Sequence, residues 1–203
     1  MPDDLDIALD FAPVQQAAEH VRDMLLGLRR RHDLARFEYT KEVRIAPTEI
    51  PHSHPKLTLN TWVGDDLSLL STYLHEQMHW YLTWYSHARA EQWQELFRLL
   101  RERYPEVPDS AEGGAQDEFS TYLHLIVNWL EIESASQFAE RERVVALAAG
   151  RPFYRWPYRT VIADWEPLGA LYAAQGLVPF RLATDMSADE LRLAGQPDEA
   201  PVG

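Results

Sequence analysis

Residues 75–79 read HEQMH, two histidines four apart with a glutamate directly after the first. On a helix, side chains four apart project to one side, so His75 and His79 can present two imidazoles to one ion while Glu76 stands beside an open coordination position. Two nitrogen donors for a divalent metal and a carboxylate to take a proton are what activating a water molecule requires. The surrounding stretch, STYLHEQMHWYL, is strongly apolar. Histidine and ionised glutamate are costly to bury there unless a metal or hydrogen bonds satisfy them, and zinc is favoured over a satisfied structural pair.

A catalytic zinc takes three protein ligands and keeps a position for water, so a third ligand must lie downstream. In QDEFSTYLHLIVNWLE, Glu118 shares a helical face with Tyr122, Leu125 and Trp129, next to the face of Phe119, Leu123, Ile126 and Leu130. A carboxylate on so buried a helix needs a partner, and Glu118 is the expected ligand. Asp117, about 100° from it around the helix, and His124, about 240° around, are the alternatives. His52 and His54, in PHSHP, read as a solvated turn, and His20, His32 and His87 lie near helix ends or on charged stretches.

HEQMH on a helix after a strand, followed by Glu118 near the start of another amphipathic helix, resembles the gluzincin branch of the zincin metallopeptidases over roughly residues 36–135. The resemblance implies zinc held by His75, His79 and Glu118, and Glu76 as general base. The implied reaction is amide-bond hydrolysis by zinc-activated water, of narrow specificity, on a peptide or protein substrate. It also implies an oxyanion donor from beyond the third ligand. FYRWPYR offers Tyr154, Tyr158 and Arg159, of which Tyr158 is the chosen one. KLTLNTW resembles the edge strand along which zincins align an extended substrate. One departure stands out: many gluzincins have an aspartate four residues after the ligand glutamate, and here that position is Tyr122. The alternative is a catalytically silent zincin-like binding or regulatory module. A di-iron carboxylate bundle needs a second helical Glu-x-x-His element besides Glu76–His79, and the chain's other one, Glu49–His52, contains Pro51 and lies in the loop PTEIPHSHP.

Several elements must position these residues. Pro13 opens a helical pattern through Val14, Ala17, Val21, Leu25 and Leu28 to RRRH. ARFEYTKEVRIAP and KLTLNTW alternate as strands on either side of PTEIPHSHP, predicting a small antiparallel sheet. Asp65 and Asp66 offer a cap and first-turn charge to the HEQMH helix, ARAEQWQELFRLLRERY reads as the next, and PEVPDSAEGGA as a loop. QDEFSTYLHLIVNWLE, QFAERERVVALAAG and EPLGALYAAQG read as further helices, whereas RPFYRWPYRTVIADW shows no clear period. The expected fold is α+β: a mainly helical single domain, residues 1–183, with a small antiparallel sheet before the active-site helix, zincin-like. Residues 184–203 are expected to form an acidic, flexible tail.

The bulk properties agree with this and exclude other classes. At 203 residues and 46% apolar content the chain can bury a sizeable core. With no cysteine, thiol catalysis, disulfides and zinc fingers are excluded. The net charge is −13 and no basic stripe appears, which argues against a nucleic-acid partner. The start, MPDDLDIALD, is acidic where a secretory signal is basic, and no apolar run approaches a membrane span, so a cytoplasmic location without membrane association is expected.

Overall fold

The computed structural model describes residues 6–9 and 15–196. Expectations for Pro13, Val14 and residues 197–203 lie outside these. In chain order the elements are β1 (Asp6–Leu9), α1 (Gln15–Arg31), a 3-10 turn (Leu34–Phe37), β2 (Glu42–Ile45), β3 (Leu57–Leu59), α2 (Asp66–Ala88), α3 (Ala90–Arg103), α4 (Glu118–Ala135), α5 (Arg141–Ala149), α6 (Arg155–Ala163), α7 (Trp165–Ala174), a second 3-10 turn (Ala183–Asp185) and α8 (Ala188–Ala194). Mainly helical architecture with a small sheet is as expected. No helix among the described residues is long and apolar enough to cross a membrane. The described residues fall into two compact units, residues 6–84 with 182–196, and residues 85–181.

In the first unit the sheet has the order β1-β2-β3. Its pairings are parallel, with Val43 opposite Leu57 and Ile45 opposite Leu59, which corrects the antiparallel expectation. Alternation of apolar and polar residues is blind to strand direction. What decides it is the connection: residues 46–56 are long enough to carry the chain back to the starting end, and no two-residue hairpin turn joins the strands. Leu57, Thr58 and Leu59 are all buried, the mark of a strand covered on both faces. The outer side of β3 is also used. Thr58 N–H donates to the His52 carbonyl at 2.8 Å, and His52 N–H donates to the Thr58 carbonyl at 3.1 Å. The chain's own His52 thus takes the position assigned to an extended substrate.

Helix α2 starts where Asp65 and Ser68 cap each other: Ser68 N–H donates to Asp65 Oδ1 at 2.7 Å, and Asp65 N–H donates to Ser68 Oγ at 3.0 Å. From Leu69 to Ser86 all but Thr72 are buried, so the helix is enclosed around its whole circumference. Its rotation is fixed by Gln77. The Gln77 side-chain oxygen accepts from Thr40 N–H at 3.1 Å and its amide donates to the Thr40 carbonyl at 2.8 Å. The same amide donates to the Tyr73 hydroxyl, which donates to Glu38, itself gripped by both ends of the Arg29 guanidinium at 2.8 and 3.0 Å. Burial, then the Glu38 charge, push the Tyr73 phenol well above its usual range, so it remains a neutral donor. At about 100° per residue, Tyr73 and Gln77 lie about 200° around α2 from His75 and His79.

The returning segment closes this unit. His54 stacks on Trp80 with ring centroids 4.5 Å apart, and its Nε2 lies 3.0 Å from the Ala194 carbonyl. Where a polar tail was expected, α8 forms behind a complete Ser187–Glu190 capping box. Gly195 lies so close over Trp80 that an added Cβ would sit 3.2 Å from its ring.

In the second unit α4 is central, with α3, α5, α6 and α7 packed on it. Asp117 caps it, accepting from Ser120 N–H at 2.7 Å. The stretch that lacked a period contains α6, with Pro157 in the first turn, where the missing N–H costs nothing. Before α4 the loop doubles back tightly: Gly114 N–H donates to the Asp109 carbonyl at 2.7 Å, and a Cβ on Gly114 would lie 1.9 Å from the Pro108 oxygen.

Two stability predictions follow from these contacts. Gln77→Leu strands the Thr40 N–H and carbonyl and is expected to cost about 3 kcal/mol in urea unfolding. Gly114→Ala forces the loop apart and is expected to destabilise by about 2 kcal/mol or more.

Candidate metal centre

The buried face of α2 opposite the Gln77 clamp carries His75 and His79, whose rings meet edge to face with centroids 5.2 Å apart. Among the described residues, the nitrogens of His75, His79 and His124 form a buried group whose ligand atoms all lie within 4.8 Å of one another. This group can hold a metal ion. Glu76 is 4% exposed and, three residues before His79, lies about 60° from it around the helix. The four residues therefore supply three nitrogen donors and one carboxylate.

His124 has the surroundings of an oriented ligand. Its Nδ1 is 2.7 Å from the Ser120 carbonyl, to which it donates, so the ring's lone pair is on Nε2. Tyr154 lies flat on the imidazole, with centroids 3.7 Å apart and planes 25° apart. Three imidazoles without a thiolate suit zinc and its neighbours among the transition metals, and three protein ligands leave a position open. The donor set therefore fits a catalytic metal.

Comparison with known protein families, characterised proteins and solved structures finds no match.

The structure brings together two of the three expected ligands, and His124 stands in place of Glu118. Glu118 is the first residue of α4; its side chain is 64% exposed and pairs with Arg101 at 3.4 Å. A helix's first turn can project beyond the core its middle enters, so a shared face did not carry Glu118 inside. Asp117 is engaged as the cap. The signal for His124 was present as a polar stripe, His124, Asn128 and Glu131, at spacings of four and three on an otherwise apolar helix, with all three buried. Tyr122 donates its hydroxyl to the Tyr104 carbonyl at 2.6 Å and so ties α4 to the end of α3.

The expected oxyanion donor is committed elsewhere. Tyr158 donates its hydroxyl to Glu131 Oε2 at 2.6 Å, a bond between buried groups of α6 and α4. His52 and His54 stay outside the group, with His52 Nδ1 donating to the Ile50 carbonyl at 2.9 Å and His54 packed on Trp80.

These placements predict the behaviour of two variants. Metal analysis on purified protein is expected to show about one ion per chain, lost in His124→Ala and kept in Glu118→Ala. Glu118→Ala is expected to change unfolding stability by less than about 0.5 kcal/mol, because its ion pair is exposed.

Proposed function

We propose that the chain is a zinc-dependent hydrolase of amide bonds, with His75, His79 and His124 as ligands and Glu76 as general base. The observation that carries this reading is the buried three-histidine group with the motif glutamate beside it. Bound there, zinc supplies Lewis acidity toward a carbonyl oxygen and toward water. The chain's own residues do the rest. Ser120 holds the proton on Nδ1 of His124 and keeps Nε2 directed at the ion. The Gln77 clamp on the far side of α2 keeps His75, Glu76 and His79 facing one way. Glu76 takes a proton from the attacking water and returns it to the departing amine. A peptide or protein is the proposed substrate, and zinc is the proposed ion, one of the transition metals that imidazole ligands suit.

A second reading, a metal-holding binding module without turnover, is favoured by one observation: His52 occupies the outer side of β3, so no open strand edge is offered there to an extended substrate. Glu76 separates the two. Under the hydrolase reading, Glu76→Gln keeps its zinc and lowers cleavage of a proteome-derived peptide library, scored by mass spectrometry, at least about 100-fold. Equal product from wild type and variant, or none from either, would turn the assignment to the binding module.

A further inference from the structure

His124 is restrained from two directions that differ in kind. The bond from Nδ1 to the Ser120 carbonyl holds one edge of the ring. The Tyr154 ring, flat on the imidazole, holds its face. Tyr154 reaches this position through an uncommon backbone, φ 51 and ψ 38, the only left-handed non-glycine among the described residues. Glycine would adopt these angles without strain, so what the tyrosine supplies at this position is its ring.

The neighbours hold that backbone in place. Trp156 N–H donates to the Gly113 carbonyl at 2.9 Å, and the Tyr154 carbonyl accepts from Tyr158 N–H at 3.0 Å. Gly113 belongs to the doubled-back loop that also reaches α4, where Ala115 N–H donates to Thr121 Oγ1 at 2.9 Å. Four residues on, the bond from Tyr158 to Glu131 holds the next turn of α6 against α4. The start of α6 is thus fastened to the loop and to α4, on both sides of the contact between Tyr154 and His124.

We propose that Tyr154 is a positioning residue for the metal centre, whose aromatic face, held by a left-handed backbone, fixes the His124 imidazole in its ligating orientation. The inference rests on the three histidines holding a metal. Because the face acts and not the hydroxyl, Tyr154→Phe keeps the effect and Tyr154→Gly loses it, while the glycine backbone suits the left-handed angles and preserves the fold.

The test measures zinc affinity of the full chain by competition with a chromogenic chelator, together with thermal melting and the imidazole NMR signals of His124 in metal-free protein. Expected are wild-type affinity in Tyr154→Phe and an affinity about 10- to 100-fold lower in Tyr154→Gly, with melting close to wild type. The His124 signals, shifted upfield by the tyrosine ring, are expected to keep that shift in Tyr154→Phe and lose it in Tyr154→Gly. Wild-type affinity in Tyr154→Gly overturns the proposal, as does equal loss in Tyr154→Phe. Absence of zinc binding by the wild type overturns the metal-centre reading itself, whereas binding lost in His124→Ala and kept in Tyr154→Gly overturns only the role of Tyr154.

Discussion

The exchange of two hydrogen bonds between Gln77 and the backbone of Thr40 is the constraint on which the centre depends. A helix buried around its circumference by apolar side chains has little to fix its rotation, because leucine and tyrosine pack acceptably at many azimuths. Directional bonds remove that freedom. The chain from Arg29 through Glu38 and Tyr73 to Gln77 ties α2 to the turn before β2. Since Gln77 lies between the two histidines in sequence and across the helix from them, every degree of rotation it prevents is one withheld from His75 and His79.

Histidine 124 is oriented by different means. Its Nδ1 donates to the carbonyl one turn earlier on its own helix, and the flat contact comes from Tyr154, just before α6. A backbone carbonyl cannot be ionised or displaced by a rotamer change, so this support persists as long as α4 does. Tyr122 serves packing between α3 and α4.

Much of this was legible in the sequence, to an extent set by the physics of each element. The caps at Asp65 and Asp117 and the long apolar periods of α2, α3 and α4 are local signals, and the helices formed where those signals lay. Strand direction is not local: alternation at 42–45 and 57–59 reads alike in either orientation, and only the path of residues 46–56 decides it. Strand β1, four residues that begin at Asp6, was too short to show a period. Helix α6 was hidden because only Pro157, Tyr158 and Val161 on it are buried, too few to set a period. Two members of the histidine group were legible because a helix fixes their spacing. The third was not, because its identity depends on which face of α4 turns inward, and Glu118 at the helix start meets solvent and Arg101 instead.

The first unit is discontinuous in sequence: residues 182–196 bring α8 against the His54 and Trp80 pair, while residues 85–181 form the second unit without interruption. During synthesis, residues 85–181 are complete before the last segment of the first unit has been made. The unit that carries HEQMH therefore waits, with the Gly195 side of Trp80, one residue from His79, uncovered until residues 182–196 arrive. Order of manufacture and order of completion run opposite ways for the first unit.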